Sequence, residues 1–178
     1  MISLSVTLLL SSPLGPLTLT QEGQALISLQ YGDLSRTPGD TPLLRQAAAQ
    51  LEEYFAGLRR TFELPLAPAG TPFQRRVWGA LAAIPYGETR SYRWVAEQAG
   101  SPRAFRAVGM ACHRNPLPIF LPCHRVVGAG GALTGYAGGL DKKTALLTLE
   151  GVHLVPGSPP LPHRMEKPGN PQNLIVIP

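Results

Sequence analysis

The sequence predicts a small amino-terminal α/β domain followed by a mainly helical domain. Strand-like alternation and then an amphipathic helix occupy the first third of the chain, and three short helices with their own start signals follow. With 178 residues, 44% of them hydrophobic, the chain can bury a core in each of two small domains. We therefore expect domains over residues 1–68 and 69–155 and a proline-rich, irregular tail over 156–178.

The amino-terminal part alternates apolar and polar residues along 2–10, the period of a β-strand. Two further strands are predicted at Leu17–Thr20 and Ala25–Gln30, separated by a turn at Glu22-Gly23. Apolar residues then recur at helical spacing from about Leu43 to Leu58. This part of the chain carries no obvious chemistry.

The sequence carries no recognisable export or membrane-spanning signal. The apolar first ten residues have neither a basic segment before them nor a small-residue cleavage site after them. No run reaches the roughly 18 apolar residues that a membrane helix needs. Two cysteines without an export signal fit a reducing compartment, so we expect a cytosolic protein.

Capping signals predict three helices in the second domain. Thr71-Pro72-Phe73-Gln74 combines a threonine N-cap, a proline at the first helical position and a glutamine three residues after the cap, which predicts a helix over 72–84. We expect Ser91 to cap a second helix to about Ala99, and Ser101 to cap a third to about Arg114. Three short helices joined by tight turns suggest a helix-turn-helix arrangement.

The remainder of this domain is predicted to contain one strand, one loop and one helix. The apolar run Leu117–Leu121 is consistent with a buried strand, and a glycine-rich loop spans 128–139. We expect Asp141 to cap a last helix, which ends where Gly151 can adopt a left-handed conformation.

Positive charge is concentrated in the middle of the chain. Three acids (Glu63, Glu88 and Glu97) accompany ten arginines between residues 59 and 125: 59, 60, 75, 76, 90, 93, 103, 106, 114 and 125. Such a block is typical of a surface that binds a polyanion, although a merely well-solvated surface is an equally good explanation from charge alone.

Two Cys-His pairs are the candidates for chemistry. Cys123 lies between Pro122 and His124-Arg125, and cationic neighbours lower the pKa of a thiol toward the nucleophilic thiolate; a buried structural cysteine is the alternative. A second pair, Cys112-His113, raises the possibility of a zinc site. Adjacent Cys-His dipeptides do not have the spacing of structural zinc ligands, and no Cys or His precedes Cys112, so we expect neither zinc nor another cofactor.

Five motifs follow one another between about residues 70 and 152: IPYGETRSY (84–92), FRAVGMA (105–111), NPLP with PCHRVVG (115–128), GYAGGL (135–140) and LEG (149–151). In their order and spacing they resemble the O6-alkylguanine-DNA alkyltransferase family. The resemblance implies a ribonuclease H-like α/β domain joined to a helical, winged-helix-like DNA-binding domain. It also implies irreversible, single-turnover transfer of an alkyl group from O6-alkylguanine to the protein. The partner that the resemblance implies is double-stranded DNA containing O6-alkylguanine, and we expect a monomer.

The resemblance further assigns roles to individual residues. Cys123 matches the acceptor, His124 its neighbouring base and Glu150 the end of a relay from thiol to imidazole, through a water, to a glutamate. Asn115 matches an asparagine that braces the active-site turn. Tyr92 matches a tyrosine that contacts the flipped base and gives a proton to the departing purine. The pocket residues implied are Val126, Tyr136, Ala137 and Pro118.

Arg106 matches an arginine that replaces the extruded nucleotide in the base stack. The small residues around it, Ala107, Gly109 and Ala111, are expected to let the helix lie close to the minor groove. Two more DNA contacts are expected from Arg125 and Ser91.

Several points depart from the family pattern or stay open. Phe105 stands where a small residue usually precedes the arginine, and His113-Arg114 is bulkier and more basic than in many relatives. A non-catalytic lesion-binding module is the main alternative, but such proteins carry tryptophan in place of the acceptor cysteine. A zinc-binding regulator of transcription is a second alternative. The sequence does not decide the range of alkyl groups or whether O4-alkylthymine is also repaired.

Overall fold

The computed structural model describes residues 3–154. The described chain divides into two compact units, one formed by residues 3–69 with Pro116–Pro118 and the other by Gly70–Asn115 with the chain from Ile119 onward. The tail predicted as irregular over 156–178 lies outside the described residues, as does the start of the first predicted strand at Ile2.

The first unit is a three-stranded antiparallel sheet with one helix. Strands β1 (Ser5–Leu10), β2 (Leu17–Glu22) and β3 (Ala25–Tyr31) pair in sequence order, and the hairpin between β2 and β3 turns where Glu22-Gly23 was predicted to turn. Helix α1 (Pro42–Phe55) contacts all three strands. The core of this unit combines leucines of the sheet with apolar residues of α1. All of them are almost fully buried: Leu17, Leu19, Leu26, Leu29, Leu44, Leu51 and Tyr54.

Helix α1 is three residues shorter at its carboxyl end than predicted. Gly57 takes a left-handed conformation (φ 76°), and the amide of Leu58 donates to the carbonyl of Glu53 at 2.8 Å. This pattern closes a helix because it satisfies its last carbonyls. The apolar periodicity continues to Leu58, but that side chain is exposed.

The second unit is mainly helical. Helices α2 (Pro72–Ala82), α3 (Tyr92–Gln98) and α4 (Phe105–His113) pack against one another, and α5 (Leu140–Leu149) follows the glycine loop. Two-residue strands β4 (Arg90–Ser91) and β5 (Val126–Val127) pair in parallel. Trp78 links α2 to α4, since its indole Nε1 donates to the carbonyl of Ala111 at 2.9 Å. Within residues 3–154, no helix is both long and apolar enough to cross a membrane.

Two predicted N-caps are confirmed. Thr71 and Gln74 form both bonds of a capping box, at 3.1 Å from the amide of Gln74 to Thr71 Oγ1 and 2.9 Å from the amide of Thr71 to Gln74 Oε1. Ser91 caps α3 by accepting from the amide of Trp94 at 3.1 Å. Both caps use residues within one turn of the helix start, which is why the sequence indicates them.

Two other predicted N-caps are wrong. Helix α4 begins at Phe105 without a side-chain cap, because residues 101–104 form a separate turn in which the amide of Ala104 donates to the carbonyl of Ser101 at 2.9 Å. Helix α5 begins at Leu140, so Asp141 lies inside its first turn, where a carboxylate still interacts favourably with the helix dipole.

The strand predicted at Leu117–Leu121 is also wrong. Leu117, Ile119, Phe120 and Leu121 are buried as expected, but the backbone turns there and Ile119 has φ 74°. A left-handed β-branched residue is incompatible with a continuous strand. A short apolar run predicts burial more reliably than it predicts extended backbone.

The carboxyl end of α5 matches the prediction for Gly151. This glycine has φ 79°, the amide of Val152 donates to the carbonyl of Leu147 at 2.9 Å, and that of Gly151 to Thr148 at 3.0 Å. This double closure places Glu150 as the residue that caps the helix end.

Candidate active site

A cavity of about 140 Å³ lies in the second unit. The amino end of α3, one side of α4, the turn at Cys123 and the glycine loop form its walls. The lining residues are Tyr92, Gly109, Cys112, His113, Cys123, Gly135, Tyr136 and Ala137.

Cys123 begins a single 3₁₀ turn, Cys123–Arg125, that is buried throughout. The amide of Cys123 donates to the carbonyl of Leu121 at 2.8 Å, and the same carbonyl accepts from Asn115 Nδ2 at 2.7 Å. Asn115 therefore braces the backbone immediately before the thiol, in the place where the resemblance expects a bracing asparagine.

The thiol of Cys123 is not activated by its cationic neighbours, contrary to the expectation from sequence. Burial raises its pKa to about 11, against the opposing effects of a hydrogen bond with the Asn115 side chain and of the Lys143 charge. The thiol is therefore protonated at neutral pH and needs a base to become a nucleophile.

His124, the residue that follows Cys123, forms a buried pair with Glu150. His124 Nε2 lies 2.8 Å from Glu150 Oε1, and both side chains are fully buried. A carboxylate facing Nε2 favours the tautomer with the hydrogen on that nitrogen, which leaves Nδ1 as the acceptor. Nδ1 is buried and has no hydrogen-bond partner among residues 3–154. Burial lowers the pKa of His124 despite the opposing effect of Glu150, so the imidazole is a neutral base.

Arg125 points inward onto the same carboxylate. Its Nη2 donates to Glu150 Oε1 at 2.7 Å, its Nε to Oε2 at 2.9 Å and its Nη1 to the carbonyl of Ile84 at 2.6 Å. Only 6% of the residue is exposed. The prediction that Arg125 contacts DNA is therefore wrong, because its guanidinium is occupied inside the unit.

Glu150 is held as an anion. Burial alone would raise the pKa of this carboxyl, but the hydrogen bonds and charges of His124 and Arg125 hold it far below its usual range. The amide of Gly87 lies 3.4 Å from Oε2. A Cβ at residue 87 would lie 2.9 Å from the Glu150 carbonyl, and Gly87 has φ 78°, so glycine is required there.

Tyr92 is arranged as a proton donor at the cavity wall. Its hydroxyl oxygen accepts from Thr134 Oγ1 at 2.9 Å, which leaves the phenolic hydrogen available. Burial raises the pKa of Tyr92, although the Thr134 hydrogen bond opposes that shift. The phenol is therefore protonated at neutral pH.

Lys143 is a buried cation that the sequence analysis missed. Its side chain lies in the core of the second unit, where Nζ donates to the carbonyls of Val126 at 2.6 Å and Thr134 at 2.9 Å. It therefore ties the strand after the active-site turn to the glycine loop. Nothing in the local sequence DKKTALL distinguishes this lysine from its neighbour Lys142, which is only half-buried.

Comparison with known proteins decides the family. The DNA-binding domain model of 6-O-methylguanine DNA methyltransferase matches residues 72–152, and the ribonuclease-like domain model of the same protein matches residues 6–68. The chain belongs to the 6-O-methylguanine DNA methyltransferase family. The predicted fold class, a ribonuclease-like α/β domain with a helical DNA-binding domain, is confirmed.

Individual relatives agree over most of the chain. The methylated-DNA–protein-cysteine methyltransferase of Methanosarcina acetivorans is 50% identical over 147 residues, which are 79% of this chain and 94% of the relative. The Mycobacterium tuberculosis O6-methylguanine methyltransferase structure has a TM-score of 0.76 at 46% identity, over 83% of this chain and 93% of that one. The structure of Mycobacterium tuberculosis OGT in complex with DNA has a TM-score of 0.74 at 51% identity, over 82% and 91% of the two chains.

The structure gathers part of the site predicted from the family motifs around the cavity. Tyr92, Cys123, Tyr136 and Ala137 line it, whereas Val126 and Pro118 do not. The carbonyl of Val126 instead accepts from Lys143.

The predicted DNA contacts on α4 divide into two groups. Arg106 and Ala107 are exposed, and Gly109 lines the cavity. Ala111 is 2% exposed and packs against Trp78, so its predicted place at the DNA surface is wrong.

Sequence reasoning did not assign four of the cavity residues to the pocket. Gly109 was expected at the minor groove, Cys112 was considered as a metal ligand, His113 as a metal ligand and as a departure from the family pattern, and Gly135 as part of a family motif. Cys112 and His113 lie three and four residues after Gly109 on the same helix, so this spacing could have placed them on the same wall. Among the described residues, no three His, Cys, Asp or Glu side chains cluster closely enough to hold a metal ion.

Proposed function

We propose that this chain repairs DNA by transferring the alkyl group from O6 of guanine to Sγ of Cys123. The observation that carries the proposal is a thiol on a cavity wall directly followed by a buried imidazole–carboxylate pair. Membership of the family, and relatives that act on methylated DNA or were crystallised with DNA, support it.

The chemistry begins with removal of the thiol proton. Nδ1 of His124, which has no hydrogen-bond partner among the described residues, accepts it through a bridging water. The Glu150 carboxylate, kept anionic by Arg125, stabilises the resulting imidazolium. The sulfur then attacks the alkyl carbon, a carbon–sulfur bond forms, the carbon–O6 bond breaks, and its electron pair passes to the purine. Tyr92 gives a proton to the purine, so that guanine leaves neutral. The imidazolium then gives up its proton and the Tyr92 phenolate regains one, so that overall one proton moves from thiol to guanine.

The reaction ends with a thioether on Cys123. A thioether carbon is a poor electrophile, and no second nucleophile of the described site is activated to remove the alkyl group: burial raises the pKa of Cys112 strongly. Each molecule therefore acts once.

The target base reaches the cavity by leaving the duplex, since the reacting carbon is inaccessible within the base stack. Arg106, which is exposed on α4, occupies the position that the base has left in the stack. Ala107 allows the helix to approach the minor groove closely. The exposed N-cap Ser91 contributes a further DNA contact. Residues 69–155 form the DNA-binding and catalytic domain and residues 1–68 the ribonuclease-like domain of a cytosolic monomer.

Mass spectrometry tests the proposal directly. Purified protein incubated with a duplex containing O6-methylguanine should gain one methyl group per molecule, and peptide mapping should place it on Cys123. Cys112→Ser is the matched control, because Cys112 lines the same cavity, and it should still gain the methyl group.

Cys123→Ala separates transfer from binding. Transfer should be abolished while lesion binding remains nearly unchanged and salt-dependent, because phosphate contacts do not involve the thiol. A methyl group on Cys112 alone, repeated turnover, or loss of both binding and transfer in a folded Cys123→Ala protein would contradict the proposal.

A further inference from the structure

Helix α4 exposes two large apolar side chains on either side of Arg106. Phe105, the first residue of the helix, is 47% exposed, and Met110, its sixth residue, is 54% exposed. Large apolar side chains exposed together on one element often mark an interaction surface. Neither side chain has a role in the transfer chemistry described above.

Helical geometry places Phe105 beside the route into the cavity. Residues four apart lie on the same side of a helix, so Phe105 precedes Gly109 on one stripe, about 6 Å along the helix axis. Gly109 lines the cavity, and so does Cys112 three residues further on. Met110 follows Arg106 at the same spacing of four residues. The two stripes run side by side along the helix, about 100° apart around its axis, with Phe105 on the stripe of the cavity residue Gly109 and with Arg106 and Met110 on the adjoining one.

The charge around this surface is complementary to nucleic acid. No Asp or Glu occurs between residues 98 and 140. Arg103, Arg106 and Arg114 on or next to α4 are all exposed. Apolar side chains accompanied by exposed arginines on and next to the same helix fit a duplex, whose phosphates flank stacked, apolar bases.

We propose that Phe105 inserts as an apolar wedge into the base stack beside the nucleotide extruded into the cavity, with Met110 packed against the groove wall. This inference rests on the proposed function, because it requires that a base leaves the duplex. Proteins that bind the minor groove insert Phe and Met side chains between base steps to unstack them. Arg106 supplies charge and hydrogen bonds at the gap, and Phe105 supplies the aromatic face on which a base can stack.

The two residues should differ in their response to salt. The contribution of Arg106 depends on ionic strength, because a guanidinium near phosphates displaces counterions. Stacking on Phe105 involves no charge, so its contribution should be the same at low and high salt. This difference distinguishes the wedge from a general electrostatic effect of the helix.

The test compares Phe105→Ala and Phe105→Trp with the wild type on two substrates, a duplex containing O6-methylguanine and the free O6-methylguanine base. Phe105→Ala should slow duplex repair about tenfold, the effect of losing one base–aromatic stack, at both low and high salt. Its reaction with the free base should stay within twofold of wild type. Phe105→Trp should retain duplex repair, since indole also stacks. Leu58→Ala, at an exposed leucine of the first unit, is the matched control and should change neither rate.

Three results would overturn the wedge. Duplex repair by Phe105→Ala within twofold of wild type would show that the ring does not stack on DNA. Equal losses on both substrates would assign Phe105 to the cavity or the fold. Self-association of the DNA-free protein that depends on Phe105, with unchanged duplex rates, would assign the surface to a second copy of the chain. Failure of the wild type to transfer a methyl group from either substrate would instead overturn the proposed function itself.

Discussion

The guanidinium of Arg125 and the carboxylate of Glu150 form a buried, two-point ion pair, with Nη2 2.7 Å from Oε1 and Nε 2.9 Å from Oε2. Removing one partner leaves the other charged group buried without compensation. We expect Arg125→Ala to lower the free energy of unfolding by about 3–5 kcal/mol, as for other broken buried pairs. Arg125→Lys should recover only part of this, because an ammonium cannot make both bonds in the same plane. Urea unfolding measures the difference. Arg93→Ala, at an exposed arginine of α3, is the control and should change stability by less than about 0.5 kcal/mol.

The base role of His124 predicts a specific pH profile. At neutral pH, His124→Asn should slow transfer by about 10²- to 10⁴-fold, because no neighbouring base then takes the proton. The ratio of the wild-type transfer rate to the variant rate should fall as the pH rises toward 11, the approximate pKa of Cys123, since the thiolate then forms without assistance. Single-turnover rates from about pH 7 to pH 10 measure this. A rate ratio that stays constant over this pH range would mean that His124 acts only on the structure of the turn.

The buried His124–Glu150 pair predicts how the free energy of unfolding depends on pH. The pKa of His124 is lowered from 6.5 in the folded protein, so below pH 6.5 the unfolded chain binds a proton that the folded chain does not. The free energy of unfolding should therefore fall as the pH drops below 6.5, and fall further below 4.5, where Glu150 is protonated only in the unfolded chain. Urea unfolding at a series of pH values measures both ranges. His124→Asn should remove part of the first decrease; an unchanged slope would contradict the assignment.

Lys143 holds the cavity wall together, and its removal should loosen the glycine loop. In Lys143→Met the carbonyls of Val126 and Thr134 lose their shared donor. We expect hydrogen exchange in residues 128–137 to accelerate and methyl transfer to slow about tenfold, a change of ~1.4 kcal/mol in the barrier. Lys142→Met is the neighbouring control and should leave both measurements at wild-type values. Slower transfer without faster exchange would mean that the lysine charge, rather than the loop position, is what matters.

Arg106 is predicted to support the duplex after the base has left. Arg106→Ala should slow repair of duplex DNA by about tenfold to a hundredfold, because the unstacking cost of a few kcal/mol is no longer offset. Reaction with free O6-methylguanine base should be nearly unaffected, since it needs no extrusion. Both rates are measured on the same preparation, and equal losses on the two substrates would mean that Arg106 serves the cavity or the fold.

The sequence predicts the elements whose signals are local. The capping box at Thr71 and the N-cap at Ser91 each depend on residues within one helical turn. Gly151 ends α5 through its own backbone conformation. Strands β2 and β3 are likewise predicted from short apolar stretches on either side of the turn at Glu22-Gly23. Each of these follows from nearest neighbours along the chain.

The errors arise where tertiary contacts decide. Nothing near Arg125 in the sequence shows that its guanidinium meets a carboxylate 25 residues away, and the burial of Lys143 depends on carbonyls contributed by two other segments. The buried run at Leu117–Leu121 was predicted as a strand because apolarity was visible and backbone conformation was not. The neighbours of Cys123 in the sequence suggest it as the acceptor, but its raised pKa follows from burial, which only the folded structure shows.

The contacts of Glu150 also mean that the surroundings of the Cys123 thiol are complete only when the whole second unit has folded. The carboxylate is fixed by residues 25 and 26 positions earlier in the chain and by an amide at Gly87, 63 positions earlier, while Tyr86 Oη bonds to the carbonyl of Leu149 at 3.2 Å. A fragment that ends before α5 therefore contains Cys123 but not the acid that orients its base. During synthesis, these contacts can form only after residues 149–152 have docked on the segment made much earlier. An unfinished chain consequently holds the thiol without the buried imidazole–carboxylate pair that the proposed transfer uses.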